Sequence, residues 1–317
     1  MTDTMTRSPA PTGRLMGRRN AGRRGEATAG YVFLSPWLLG LFGITVGPML
    51  YSLYLSFTDY DLLQDPEWVG LENYVRMFTD DPTYWNSVQA TVLFAVTSVP
   101  LKLAVALGVA LLLNRQRRGV GLYRALYYVP SLLGGSVAIA IVWQTLFGSA
   151  GAINGLLGLV GIGGRSWIAD PSTALGTLVL LAAWQFGAPM VIFLAGLKQI
   201  PAEMFEAAAL DGAGRLRTFW HVTLPLLSPV LFFNLVLETI AGFQGFTAAF
   251  VISGGQGGPA DSTLLYTLYL YLRGFGDFQM GYASAMAWAF LIVLGVVTAL
   301  VFRSGSLWVH YADDGER

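Results

Sequence analysis

The chain has 317 residues, of which 54% are hydrophobic and 12% charged, well below the roughly one quarter charged that is usual in soluble domains. Mean hydropathy is +0.56, and 19 basic and 19 acidic residues cancel to a formal net charge of zero that hides an uneven distribution. Cysteine is absent and histidine occurs only at His221 and His310, which argues against disulfides, metal sites and catalytic dyads; no phosphate-binding glycine loop is present to hold ATP.

Residues 1–27 are polar and basic, with Arg7, Arg14, Arg18, Arg19, Arg23 and Arg24 among scattered Pro and Gly. No apolar period is visible, so a disordered tail is expected, suited to an anionic membrane leaflet rather than to nucleic acid. A cleavable signal peptide is not expected, because the first apolar run is too long.

Residues 28–303 read as one membrane domain. About 20 apolar residues cross a bilayer. Six stretches qualify: Ala29–Phe57, with an irregularity expected near Pro48, then Trp85–Leu113, Leu122–Phe147, Ala174–Leu197, Ser228–Ile252 and Tyr282–Phe302. Pro130 and Pro189 fall inside the third and fourth, where freed backbone groups must find partners in neighbours or a cavity. The expected class is all-α: a polytopic membrane protein of about six helices.

Basic residues orient it. With the N-terminus inside, the inner segments hold the tail arginines, Arg115, Arg117, Arg118, Arg124, Lys198, Arg215, Arg217, Arg303 and Arg317, whereas the outer loops hold only Arg76, Arg165 and Arg273. The positive-inside bias therefore places both termini, including the short tail 304–317, in the cytoplasm. The first outer loop, Thr58–Tyr84, is acidic, with Asp59, Asp61, Asp65, Glu67, Glu72, Asp80 and Asp81 in what reads as an irregular docking surface.

Two ionisable residues lie deep in spans, where each is costly and so a candidate for function. Lys102 and Glu238 sit about 18 and 15 Å from their cytoplasmic helix ends at 1.5 Å per residue. Either they pair with each other, or Glu238 lines a pathway and accepts hydrogen bonds from a polar ligand. Asn234, Glu238, Phe243 and Gln244 on the fifth span, with Trp184 and Gln185 on the fourth, supply aromatic faces and amides of the kind that bind hydroxyl-rich rings. Packing or lipid-facing roles for Trp184 and Phe243, and a helix-bridging role for Asn234, remain open. Glu238, Ala241, Gly242 and Gly245 fall on one small, polar helical stripe suited to a cavity or close helix contact.

The polar island 198–227 interrupts the apolar runs. Pro201 suits a helix start, Glu203 and Glu206 suit its positive end, Ala207, Ala208 and Ala209 favour helix, and Gly212 suits a left-handed reversal. A second short helix to about Thr223 follows, which Pro225 either stops or hands on to the next segment.

The order Glu206-Ala207-Ala208, three residues, Gly212, nine residues, Val222-Thr223-Leu224-Pro225 resembles the EAA loop of permeases in ATP-driven importers, with Val222 in place of the family's Ile. FTDYDL and VGLENY in the first outer loop, GGQGGP at Gly254–Pro259 and GYASAMAW at Gly281–Trp288 are similar to the maltose-type sugar permeases of that class. The resemblance implies a cytoplasmic coupling helix-turn-helix, with Glu206, Ala207, Ala208, Asp211, Gly212, Leu224 and Pro225 facing a separate ABC ATPase dimer. It also implies a second permease subunit, commonly a different chain, an extracytoplasmic solute-binding protein, and a sugar or polyol carried across the inner membrane by alternating access. Glycerol phosphate or another polar solute, or a non-transporting assembly subunit, are the alternatives. No cofactor, metal or enzymatic activity of the chain itself is expected.

Overall fold

A computed structural model describes residues 30–114, 119–162 and 164–309. Tail arginines 7–24, Arg115, Arg117, Arg118, His310 and Arg317 lie outside the described residues. The chain divides after Tyr54 into two units. The described residues of the first form a helix that runs from Gly30 and ends at Leu55, the first residue of the second unit. The helix comprises α1 (residues 30–40), a π-helical turn Leu41–Val46 and α2 (Gly47–Leu55). The irregularity expected at Pro48 is this π-turn: Gly47 N–H reaches back to Phe42 O, and the helix continues without a break.

The second unit begins with the acidic loop, which is ordered rather than irregular. Strands β1 (Thr58–Asp59) and β2 (Glu67–Trp68) pair antiparallel, and α3 (Glu72–Thr79) follows. Asn73 Nδ2 donates to the Ser56 and Thr58 carbonyls at 3.1 and 2.9 Å, which fixes the hairpin to the helix. Asp59, Asp65, Glu67, Glu72 and Asp80 are exposed.

The spans follow. Helix α4 (Pro82–Leu113) is the central rod. Helices α5 (Val120–Leu133) and α6 (Val137–Phe147) replace the single third span expected at Leu122–Phe147. Gly134 and Gly135 interrupt the helix, and the Ser136 side chain caps a new one by accepting Ile139 N–H. Helix α7 (Ala152–Gly158) leads through a loop to α8 (Pro171–Trp184) and α9 (Gly187–Leu197), a pair bent by 42°. Next come α10 (Ala202–Leu210), α11 (Arg215–Thr218), a π-turn Phe219–Thr223, α12 (Leu224–Phe243) and α13 (Thr247–Ile252). The fifth span thus reaches back beyond Ser228 and breaks at residues 244–246. A short α14 (Tyr266–Tyr271) precedes α15 (Met280–Trp308). Among the described residues, five helices are long and apolar enough to cross a membrane, and six if the bent pair is one span.

Helix α4 packs against α8, α9 and α12, so two apolar cores form along its length. One gathers Phe94, Leu178, Leu181, Leu268 and Met286. The other gathers Leu103, Ala106, Ala110, Met190, Phe193 and Leu227. Ala106 and Ala110 are fully buried one turn apart, and small residues there let backbones approach in the way membrane helices favour. Gly196 does the same against Leu227 and Val230, where a Cβ would fall 2.8–2.9 Å from their methyl groups.

Asp81 ties the loop end together and is buried, unlike the surface role expected for it. One carboxylate oxygen caps α4 by accepting Tyr84 N–H at 3.1 Å. The other accepts the hydroxyls of Tyr269 on α14 and, at 2.7 Å, Tyr282 on α15. Arg273 donates to the Tyr269 hydroxyl at 2.8 Å, and the Arg76 guanidinium lies 4.5 Å over the Tyr282 ring. Burial pushes the Asp81 carboxyl up, but the Tyr269, Tyr282 and Tyr84 hydrogen bonds and the Arg273 charge outweigh it and hold it below the usual carboxylate range. Its contribution is therefore complete above the unfolded carboxylate value and is lost as pH falls through the lowered folded value. Asp81→Asn is expected to cost about 1.5–3 kcal/mol at neutral pH. In thermal melts of the solubilised protein, the gap between wild type and variant should stay constant above about pH 5 and narrow below about pH 4. A gap that does not narrow refutes the assignment.

Candidate functional site

Between the two cores lies a cavity of about 220 Å³. Its wall is built from interrupted helices. Gly134 and Gly135 come from the α5–α6 break, Gln185 from the α8–α9 break, and Gly245, Phe246 and Thr247 from the α12–α13 break. Backbone that leaves the helix at membrane depth is tolerated where protein or a cavity satisfies it, so three breaks meeting at one hollow mark a place where polar groups are wanted.

Lys102 and Glu238 meet in this wall. Nζ lies 2.7 Å from Oε2, with side chains 15% and 14% exposed. Of the two readings open from sequence, pairing is the one observed. The pair still borders the cavity, so it holds α4 to α12 and presents polar atoms to whatever enters. Of the stripe expected on the fifth span, Glu238, Ala241 and Gly242 line the cavity from α12, while Gly245 lines it from the break, past the end of the helix. Gly242 is tight against Val99, where a Cβ would come within 3.0 Å of Cγ2.

Of the six pathway residues expected from sequence, Glu238 and Gln185 reach the cavity. Asn234 is buried at 1% exposure and gives its amide hydrogen to Val230 O on its own helix. Trp184 stands beside the cavity with its ring 6.1 Å from Trp143. Phe243 is buried and Gln244 exposed, and neither borders the hollow. The aromatic side chains that do border it are Phe94 and Phe246, which sequence reasoning missed. Position on a stripe with Lys102 marks Phe94, eight residues and about two turns earlier on α4. Phe246 carries no such signal, because the helix has already ended.

The polar island forms the second candidate site. Helix α10 ends in a left-handed Gly212 with φ +72°. Ala213 N–H returns to Ala208 O at 2.9 Å and Gly212 N–H to Ala209 O at 3.0 Å, the paired bonds of a Schellman reversal. The turn leaves Glu206, Ala207 and Asp211 exposed, buries Ala208, and half-buries Leu224 and Pro225 at the start of α12. Pro225 does not stop the helix. A π-turn precedes it, as one precedes Pro48, so α11 runs into α12 as one continuous rod. Leu210, Leu216, Trp220 and Met204 are apolar and 90%, 73%, 56% and 44% exposed, an open contact face beside Arg215 and Arg217.

The pairing predicts an asymmetric result. Lys102→Met strands a partly buried carboxylate and should destabilise the protein by about 3–5 kcal/mol, whereas Lys102→Met with Glu238→Leu should recover most of that loss. Melting temperatures of the four combinations measure the coupling; additive losses contradict the pair.

The family described as binding-protein-dependent transport system inner membrane component matches residues 103–307. The probable ABC transporter permease protein YesP of Bacillus subtilis is 51% identical and is aligned over 92% of this chain and 95% of its own length. The lactose transport system permease protein LacF of Rhizobium radiobacter is 32% identical, over 86% and 92% respectively. The crystal structure of a bacterial alginate ABC transporter in complex with an alginate pentasaccharide-bound periplasmic protein contains a chain with the same fold. Its TM-score is 0.75 at 18% identity, covering 89% of this chain and 95% of that one.

Proposed function

This chain belongs to the binding-protein-dependent transport system inner membrane components and is a permease subunit of an ABC importer, and we propose that its cargo is a sugar or related polyol. The observation that carries the cargo reading is the mid-bundle cavity, where three broken helices, a paired Lys102–Glu238 and two aromatic faces converge. A ring with hydroxyls around its edge and C–H bonds on its faces suits such a wall. The apolar faces rest on Phe94 and Phe246, and the hydroxyls donate to Glu238 and accept from Lys102. Relatives named for lactose and for trehalose/maltose transport support the same class.

The cavity opens alternately to either side. At about 220 Å³ it is smaller than the ~300–1,000 Å³ usual for ligand sites. A second, similar permease subunit facing it would complete the pathway. A separate ABC ATPase dimer supplies the energy and closes on ATP. Glu206, Ala207, Asp211 and Gly212 dock against that ATPase, whereas Ala208, expected to join them, is buried and packs inside the turn; Leu224 and Pro225 join the turn to the α12 span. Rigid continuity from α11 into α12 makes the turn a lever on the helix that carries Glu238. The bias of arginines toward one side supports cytoplasmic termini and a cytoplasmic coupling turn. The acids exposed on the β1–β2 hairpin and α3 face the other way, where a solute-binding protein delivers cargo.

The test is binding-protein-stimulated uptake into vesicles holding the complete complex, screened over neutral sugars, acidic sugars and glycerol phosphate. Uptake of a neutral sugar is expected. Glu206→Lys and Gly212→Pro should still insert but lose uptake and ATPase association. Uptake and assembly that survive both changes refute the coupling role; a complex that moves glycerol phosphate and no sugar refutes the cargo.

A further inference from the structure

Two of the three helix breaks lie side by side, and each satisfies the other. Pro189 has no N–H to offer the carbonyl of Gln185 four residues earlier, so that oxygen is freed. Ser131 on α5 supplies the missing donor. Its hydroxyl gives a hydrogen bond to Gln185 O at 2.8 Å and accepts one from Ala188 N–H at 2.9 Å, spanning the break. The Gln185 side chain answers in the opposite sense: Nε2 donates to the carbonyl of Gly134, where α5 ends, at 3.1 Å. So a side chain from each span holds the broken backbone of the other.

The fit requires glycine on both sides. A Cβ at Gly134 would stand 2.1 Å from Gln185 Cδ, and one at Gly187 would stand 2.5 Å from the Tyr127 carbonyl oxygen. The flanking helices pair likewise. Trp143 on α6 donates from Nε1 to Thr177 O on α8 at 2.9 Å. On the other side of the breaks α5 packs along α9, with the Tyr127 ring 6.0 Å from Phe186.

We infer that Ser131, Gly134 and Gln185 form a clasp that makes the α5–α6 and α8–α9 breaks rearrange together around the cavity. Rearranging either segment alone would break the hydrogen bonds that the other's backbone groups now make, at a cost for each group left unpaired. Gln185 is thus a positioning residue: its amide is spent on a peptide group rather than on cargo. The inference rests on the importer reading, because alternating access is the motion it constrains.

The experiment compares variants in the complete complex, reading solute moved per ATP hydrolysed and the melting temperature. Ser131→Ala and Gly134→Ala should each lower solute moved per ATP about fivefold. Ser131→Thr keeps the hydroxyl and should stay near wild type. Gly134→Ala combined with Gln185→Ala should return to the level of Gln185→Ala alone, because the obstructing amide is gone. The clasp is refuted by a Gly134→Ala variant that behaves as wild type, by a double variant as impaired as the two losses multiplied, or by uptake and ATP hydrolysis that fall in equal proportion. The same suppression is read in melting temperature without transport. A wild-type complex that moves no sugar therefore counts against the cargo, while the clasp still stands or falls on the double variant.

Discussion

A peptide group that leaves its helix inside a bilayer has no water to turn to, and this constraint governs the rest of the structure. Proline and glycine release such groups at Gly134–Ser136, at Gln185–Gly187 and at residues 244–246. Each released group must then be met by a neighbouring span. The breaks therefore cluster, and the hollow that remains between them is lined by backbone and polar side chains as well as apolar ones. Ser131 answering the carbonyl that Pro189 leaves free shows the rule at single-atom scale.

The same constraint sorts the charges. Lys102 and Glu238 neutralise each other at 2.7 Å, so neither has to be carried alone through a low-dielectric interior. Asp81 is held by two tyrosine hydroxyls and a backbone N–H, with arginines one step behind. One carboxylate thereby joins the start of α4 to α14 and α15, and the α4 rod enters the bundle from a fixed point. From that anchor the rod runs past the cavity to the small-residue seam with α9 and α12, so a displacement of α12 reaches the cavity wall through packed side chains.

The two candidate sites lie along a second rod, α11–α12. The polar island sits at one end of a helix that, through a π-turn rather than a break, continues to Glu238. The π-turn keeps the helix continuous where Pro225 removes a hydrogen bond, the stiffness that the proposed lever requires. The breaks, by contrast, lie in the cavity wall.

What could be read from the amino-acid order alone was whatever depends on neighbours in sequence. Apolar run lengths placed the spans other than the third, a glycine two residues after the end of an alanine-rich helix placed the reversal at Gly212, and helical spacing placed Glu238, Ala241 and Gly242 on one cavity-lining stripe. Tertiary structure alone decided which polar groups meet. Lys102 and Glu238 were compatible with pairing or with ligand contact, Asp81 looked like one more surface acid, and Asn234, Trp184, Phe243 and Gln244 looked suited to the cavity that Phe94 and Phe246 border instead. The physical reason is range. A helix repeats every 3.6 residues and so fixes a face, but partners 136 or 201 residues apart are fixed only by how those faces rotate and where their backbones break.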